Sequence, residues 1–320
     1  MTFPSYIEIT SPENGREYAS FYVYLPASAD GVYYTRYKFW FEENPPKPEL
    51  TYENGVNDPA NRRFYRVRTA YIVKREGDVF VPLFRALQDG EIGFAIKEEG
   101  AGDFVGGFHG DEVLTEVALA VDGKRMPLDT PYFSAFSSLS FYEQSYIFRC
   151  NMPSEKIMLH TQTYTVDGDR LLLKQDIEWI ADGYKIHSGY SPMLTAQRLN
   201  PDRTDEMLSD TVEFYGKDGS LIASFDTSEY TYGKAVSAGA SHGIGTKATR
   251  AKAFKKDGGL VMEAGYTVRD KSIPDEQIGS SLWIRGTDNK VYFEITGHTT
   301  PKKGTAWRSN IFYRVTYRPQ

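Results

Sequence analysis

The 320-residue chain is 40% hydrophobic and 25% charged, with a formal net charge of -6. That is the balance of a soluble globular protein long enough to bury a large core without staples. The acidic balance, with no basic run or tail, argues against a nucleic-acid partner. No apolar run approaches the ~18 residues of a spanning helix, so no membrane partner is expected.

The N-terminus, MTFPSYIEIT, has neither a basic n-region nor an apolar h-region. No signal peptide is visible, and the expected location is the cytoplasm, or outside the cell with a leader already removed. Short alternating runs then recur: FYVYLP (21–26), YYTRYKFWFE (33–42), RFYRVRTAYIVKR (63–75), EIGFAIKE (91–98) and EVLTEVALAV (112–121). Their period of two predicts strands. The same pattern continues in SLSFYEQSYIFRC (138–150), IMLHTQTYTV (157–166), RLLLKQDIEWI (170–180), GLVMEAGYTV (259–268), SLWIRG (281–286), KVYFEITG (290–297) and SNIFYRVTYR (309–318). Asp-Gly pairs in VDGK, VDGDR and KDGS are hairpin signals, because such turns need positive φ. Helical periodicity is almost absent. So many strands must close or stack to hide their edges, and a large antiparallel two-sheet β-sandwich is the simplest arrangement. No composition break divides the chain, so residues 1–320 are expected to form one domain. It carries a long Pro/Asn-rich loop at 43–62 and a second Gly-rich stretch, SAGASHGIGTKA (237–248). The single cysteine, Cys150, cannot form an internal disulfide, and its apolar context predicts a buried, inert thiol. A reducing compartment is therefore permitted.

Two segments concentrate chemistry. In DFVGGFHGDE (103–112), glycines surround His109 and two carboxylates follow. Clustered glycines raise the entropy lost on folding and are tolerated where backbone must approach something closely. His109 beside Asp111 and Glu112 fits a base oriented by a carboxylate; an exposed histidine on a plain turn is the simpler alternative. One histidine with adjacent acids is a poor match to metal-ligand spacing, so neither metal nor cofactor is expected.

The second segment runs from Leu159 to Arg198. Alternation puts His160, Gln162 and Tyr164 on one face of their strand. On the next strand Lys174, Asp176 and Glu178 share a face opposite Leu171, Leu173, Ile177 and Trp179. A three-residue turn would gather all the polar groups on one side, and amphipathic logic favours it. A two-residue turn would flip the second strand. The segment continues into HSGYSPMLTAQR (187–198), where Tyr190 and Arg198 flank a Gly/Pro bend with an exposed-looking Met193. Trp40 and Trp307 are assigned to the core rather than to a sugar platform, and His298 to the surface.

HTQTYTVDGDRLLLKQDIEWI followed by GYSPMLTAQR resembles the central strands of supersandwich proteins, the galactose-mutarotase-like architecture that several polysaccharide lyases use. The resemblance covers about 40 residues. It implies a glycan partner and makes His160, Tyr164, Tyr190 and Arg198 candidate catalytic groups. These residue types suit β-elimination from a uronate. Arg198 and Gln162 would neutralise the carboxylate. His109, His160 and Tyr164 would remove the C5 proton or protonate the leaving oxygen, with Tyr190 a further acid. Asp111, Glu112, Lys174, Glu178 and His187 would line the same groove. Alternatives are a glycoside hydrolase using pairs drawn from Asp111, Glu112, Asp176 and Glu178, a non-catalytic carbohydrate-binding module, and sugar epimerisation by a His/Glu pair. Oligomeric state is left open.

Overall fold

A computed structural model describes residues 3–44, 62–88, 92–229, 240–243, 248–269 and 279–319. Among these residues the regular structure is all strand apart from one 3-10 turn, Gly107–His109. The strands pair as two arrays. The first runs, in sheet order, β9 (Tyr132–Phe136), β1 (Ser5–Ile9), β2 (Phe21–Pro26), β3 (Tyr33–Asn44), β4 (Arg62–Glu76), β5 (Val79–Leu87), β13 (Ile186–Gln197), β22 (Asp288–Thr296), β21 (Ser280–Ile284) and β18 (Ala240–Gly243). Short β6 (Ala95–Glu98) also pairs with β13. The second array runs β8 (Lys124–Met126), β7 (Glu112–Val121), β10 (Leu139–Arg149), β11 (Met152–Asp167), β12 (Arg170–Trp179), β23 (Ala306–Tyr317), β20 (Leu260–Arg269), β19 (Arg250–Phe254), β16 (Thr211–Tyr215) and β17 (Leu221–Asp226). The arrays join where β4 and β7 run parallel, at Arg62–Glu112 and Arg63–Val113. β14 (Leu199–Asn200) and β15 (Arg203–Met207) form a separate small sheet.

The two arrays face each other across a shared core, because each presents its apolar alternates inward. Phe21 of β2 and Phe39 of β3 stack at 4.5 Å, and Phe141 of β10 meets them edge-on at 4.9 and 5.5 Å. At the other end Phe293 of β22 meets Tyr266 of β20 at 5.7 Å and Phe214 of β16 at 6.5 Å. Full burial of each such side chain is worth about 1.5–3 kcal/mol. The all-β, sandwich-like reading therefore holds, and every run predicted as a strand contains one. Most of the Pro/Asn-rich connection, residues 45–61, and residues 237–239 and 244–247 of the Gly-rich stretch lie outside the described residues. The His242 backbone pairs within β18, but its side chain is also outside them.

The structure corrects three expectations. The β11–β12 turn is a two-residue one, Gly168–Asp169, closed by the Asp167–Arg170 pair. His160 is therefore opposite Ile177, Gln162 opposite Gln175 and Tyr164 opposite Leu173. Lys174 and Glu178 fall on the other, exposed face, opposite Thr163 and Leu159. HSGYSPMLTAQR is no simple bend. It lies almost wholly in β13, whose pairing with β22 shifts on either side of Tyr190, and Met193 is buried within it. Trp179 and Trp307 are core residues 5.5 Å apart, but Trp40 is not. Tyr37, Phe39 and Phe41 take the inward positions of β3, leaving Trp40 on the outer face beneath the Arg68 and Lys38 side chains.

Candidate functional site

The glycines around His109 exist for close approach. Gly106 and Gly107 have φ of 85° and 53°. A Cβ on Gly106 would meet the Phe94 ring at 2.5 Å, and one on Gly107 would meet the Phe94 carbonyl at 2.6 Å. A Cβ on Gly110 would meet Arg62 at 2.9 Å. Only glycine accepts both the backbone conformation and the contact. The loop thus packs closely on Phe94, whose ring in turn lies 4.8 Å from the His160 ring.

Beneath the loop is a buried acid–imidazole pair. Glu112 and His160 side chains are each 1% exposed, with His160 Nδ1 2.8 Å from Glu112 Oε1. Ser145 Oγ also donates to Oε1, and the Gly107 N–H donates to Oε2 at 2.8 Å. Gln175 Nε2 lies 2.9 Å from His160 Nε2. An amide nitrogen only donates, so with this amide orientation His160 Nε2 accepts and its proton sits on Nδ1, directed at Glu112. Burial pushes the Glu112 carboxyl up, but His160, Ser145 and the Gly107 N–H outweigh it and hold the group below its ordinary range. Glu143, equally buried, goes the other way. Burial and the nearby Glu112 charge raise it well above the usual carboxylate range, against one hydrogen bond from the Tyr65 N–H at 2.7 Å. The two buried acids are therefore pushed in opposite directions.

Above the loop the surface is ring-lined and accessible. Phe108 is 39% exposed. The His109 side chain is 16% exposed, with Nδ1 3.3 Å from Asp103 Oδ1. Phe104 lies between His109, at 5.1 Å, and Tyr190, at 5.8 Å. Tyr190 meets Tyr292 of β22 at 5.0 Å. Cations border the rings: Lys97 lies 5.5 Å from Phe104, and Arg66 and Arg62 lie 5.4 and 5.9 Å from Phe108. Both arginines pair with Glu42, Arg62 at 2.6 Å and Arg66 at 2.7 Å. Burial pushes the Asp103 carboxyl up, but His109, the Phe104 N–H and Lys97 bring it below its ordinary value, so it stays ionised. Burial raises the Tyr190 phenol, helped by Glu294 and opposed by Ser188, so it stays protonated. An ionised acid orienting an imidazole, across one ring from a phenol that keeps its proton, can move protons in both directions.

The predicted site residues divide accordingly. His109 and Tyr190 share this surface band. His160, Tyr164 and Gln162 do not reach it. Tyr164 is 4% exposed, donates to Gln162 Oε1 at 2.9 Å and packs on Phe39. Arg198 is fully buried, and its guanidinium donates to the carbonyls of Thr227, Gly286 and Ser228, which ties loops together. Asp111 is 2% exposed and accepts the Asn151 N–H at 3.0 Å, bracing the β10–β11 turn. The carboxylate that orients His109 is thus Asp103 rather than Asp111 or Glu112. His187 is exposed and meets His298, also exposed, at 4.8 Å. Among the described residues no group of three or more His, Cys, Asp or Glu side chains is placed to hold a metal ion. Cys150 is only partly buried, against a second apolar cluster.

Asp103, Phe104, Phe108, Lys97, Tyr292, Ser145, Gln175 and Glu143 were not assigned from sequence. The first three had a signal, since Asp103, Phe104 and Phe108 all fall in the glycine-rich stretch 103–112. Tyr292 comes from a strand about 180 residues away and had none.

No family model matches the chain, and no curated protein matches it. Solved structures aligned to it include a candidate aldose 1-epimerase from Escherichia coli K12, at 10% identity over 78% of this chain and 97% of that one, with a TM-score of 0.35. A candidate mutarotase from Salmonella typhimurium aligns at 7% identity over 97% of both chains, TM-score 0.41. A heparan sulfate lyase HepC mutant from Pedobacter heparinus aligns at 8% identity over 85% of this chain and 38% of that one, TM-score 0.28.

Proposed function

We propose that the chain is a carbohydrate-active enzyme that cleaves a uronate-containing glycan by β-elimination at the surface band around His109. The observation that carries this reading is an accessible strip that combines an Asp-paired imidazole, a protonated phenol, stacking rings and bordering cations. Rings offer flat apolar faces to a pyranose. Lys97 would offset the uronate charge, which makes the C5 proton acidic enough to remove. His109, oriented by Asp103, takes that proton. The electron pair left on C5 forms the C4–C5 double bond as the C4–O bond breaks. Tyr190 supplies the proton that the leaving oxygen needs.

The competing readings fare worse on geometry. Epimerisation by the Glu112–His160 pair is disfavoured, because at 1% exposure neither side chain reaches a sugar. Hydrolysis would need two carboxylates across one opening. Asp111 and Glu112 are buried, whereas Asp176 and Glu178 lie on the outer face of β12 and Asp176 pairs with Arg308 at 2.8 Å.

The test is ultraviolet absorbance of purified protein mixed with alginate, pectin, glucuronan, hyaluronan or heparan. Elimination creates an unsaturated uronate that absorbs; hydrolysis and mere binding do not. A rising signal on any one polymer supports the reading. New reducing ends without absorbance would replace it with hydrolysis. Sugar-dependent thermal stabilisation with no product would replace it with a binding module.

A further inference from the structure

The buried polar groups beneath the loop have no part in that chemistry, yet they form one unbroken chain. It begins at the Gly107 N–H, in the turn that carries His109, and passes to Glu112 Oε2 at 2.8 Å. It continues from Glu112 Oε1 to His160 Nδ1 at 2.8 Å, and from His160 Nε2 to Gln175 Nε2 at 2.9 Å. It ends where Ser191 Oγ donates to Gln175 Oε1 at 2.5 Å. Ser191 follows Tyr190 directly in β13. Glu112, His160 and Gln175 belong to β7, β11 and β12 of the second array, whereas Ser191 belongs to the first. The chain therefore crosses the core between the arrays, and its two ends lie beside the two surface groups, His109 and Tyr190. Its members are each no more than 1% exposed in their side chains. Apolar residues would fill the same space at lower desolvation cost, so what this chain adds is geometry: directional bonds specify separation in a way that apolar contact does not.

We infer that Glu112, His160, Gln175 and Ser191 are positioning residues that set the spacing of the His109 turn against the Tyr190 strand. The inference rests on the proposed function for its effect on catalysis, but the coupling itself needs no substrate. Ser191→Ala is the decisive variant, because it removes one hydroxyl at the end of the chain remote from His109. The probe is the intact protein with 15N-glycine and 15N-histidine labels, observed by NMR without ligand. The expected result is that Ser191→Ala shifts the Gly107 amide and the His109 ring resonances, and that Ser191→Thr, which keeps the hydroxyl, restores them. On the most responsive uronate polymer Ser191→Ala should lower kcat about tenfold with KM within about twofold, the pattern of misplaced groups rather than lost binding.

If Ser191→Ala leaves Gly107 and His109 resonances unmoved, the coupling is wrong. Resonances that shift while kcat keeps its wild-type value would also overturn a positioning role. An absence of elimination in wild-type protein would instead count against the proposed function, and the resonance test would still decide the coupling. Glu112→Gln is the second variant: it should move the same resonances further, as it acts on the Gly107 N–H directly.

Discussion

The surface around His109 and the core around His160 take their acid partners from one ten-residue stretch, Asp103 to Glu112, yet they obey opposite rules. His109 has an acid partner, rings on two sides and an open face. His160 has an acid partner, a ring on one side and no open face. Both are imidazole–carboxylate pairs, and pair geometry alone does not separate a reactive group from a structural one. Access does. At 16% against 1% side-chain exposure, only His109 is placed to touch a substrate.

The sharpest way to break this contrast is to delete the buried partner. His160→Ala leaves Glu112 charged and buried without its imidazole hydrogen-bond donor, and should cost about 2–3 kcal/mol of stability. Chemical denaturation would measure it. A variant as stable as wild type would mean the core pair is not structural. Gly107→Ala comes next. A positive φ and a Cβ 2.6 Å from the Phe94 carbonyl should cost about 1–3 kcal/mol. It should also lower turnover by moving the His109 turn. Unchanged melting and unchanged rate together would show that the loop tolerates displacement.

The two buried carboxyl groups offer a test by pH. The folded Glu112 value lies below its ordinary 4.5, so its contribution is present above pH 4.5 and is lost as pH falls through the folded value. The folded Glu143 value lies well above 4.5, so its contribution is fullest below pH 4.5 and is lost as pH rises toward the folded value. Glu143→Gln should therefore flatten the decline of stability on the alkaline side, while Glu112→Gln should lower stability at neutral pH. Denaturation midpoints between about pH 4 and 8 would check both signs, and a Glu143→Gln profile that keeps the wild-type slope would contradict the upward shift of Glu143. The smallest effect is expected on the outer face of β12. Lys174→Ala and Glu178→Ala should each change stability by less than about 0.5 kcal/mol and leave any turnover as it was. A large loss of activity from either would return the site to that face.

How far these two regions could be read from sequence depends on what set them. Strand rhythm and Asp-Gly turns are local, and they were legible. The Gly168-Asp169 pair even carried the right turn length, since glycine at the first position favours a two-residue turn. Amphipathic logic overrode it because it assigns polar residues to water. Here His160, Gln162, Gln175, Glu143 and Ser145 all point into the core, each holding at least one hydrogen bond, so the polar pattern was inverted. The glycines around His109 were legible as a close approach, but not what they approach. Phe94 sits before the loop, and His160 lies beyond Phe94 on another strand. Tyr190 comes beside Phe104 through the pairing of β13 with β6 and the Ile96–Val105 bridge, and Tyr292 comes beside Tyr190 through the pairing of β13 with β22, long-range facts that no local spacing encodes.

The central claim is that chemistry belongs to the accessible imidazole and support to the buried one. The most direct measurement is the ultraviolet elimination rate of His109→Ala on the polymer that wild-type protein turns over fastest, with its melting temperature taken alongside. The rate should fall at least about 100-fold, with a melting temperature within about 2 °C of wild type. A His109→Ala protein that melts normally and still eliminates at the wild-type rate would contradict it.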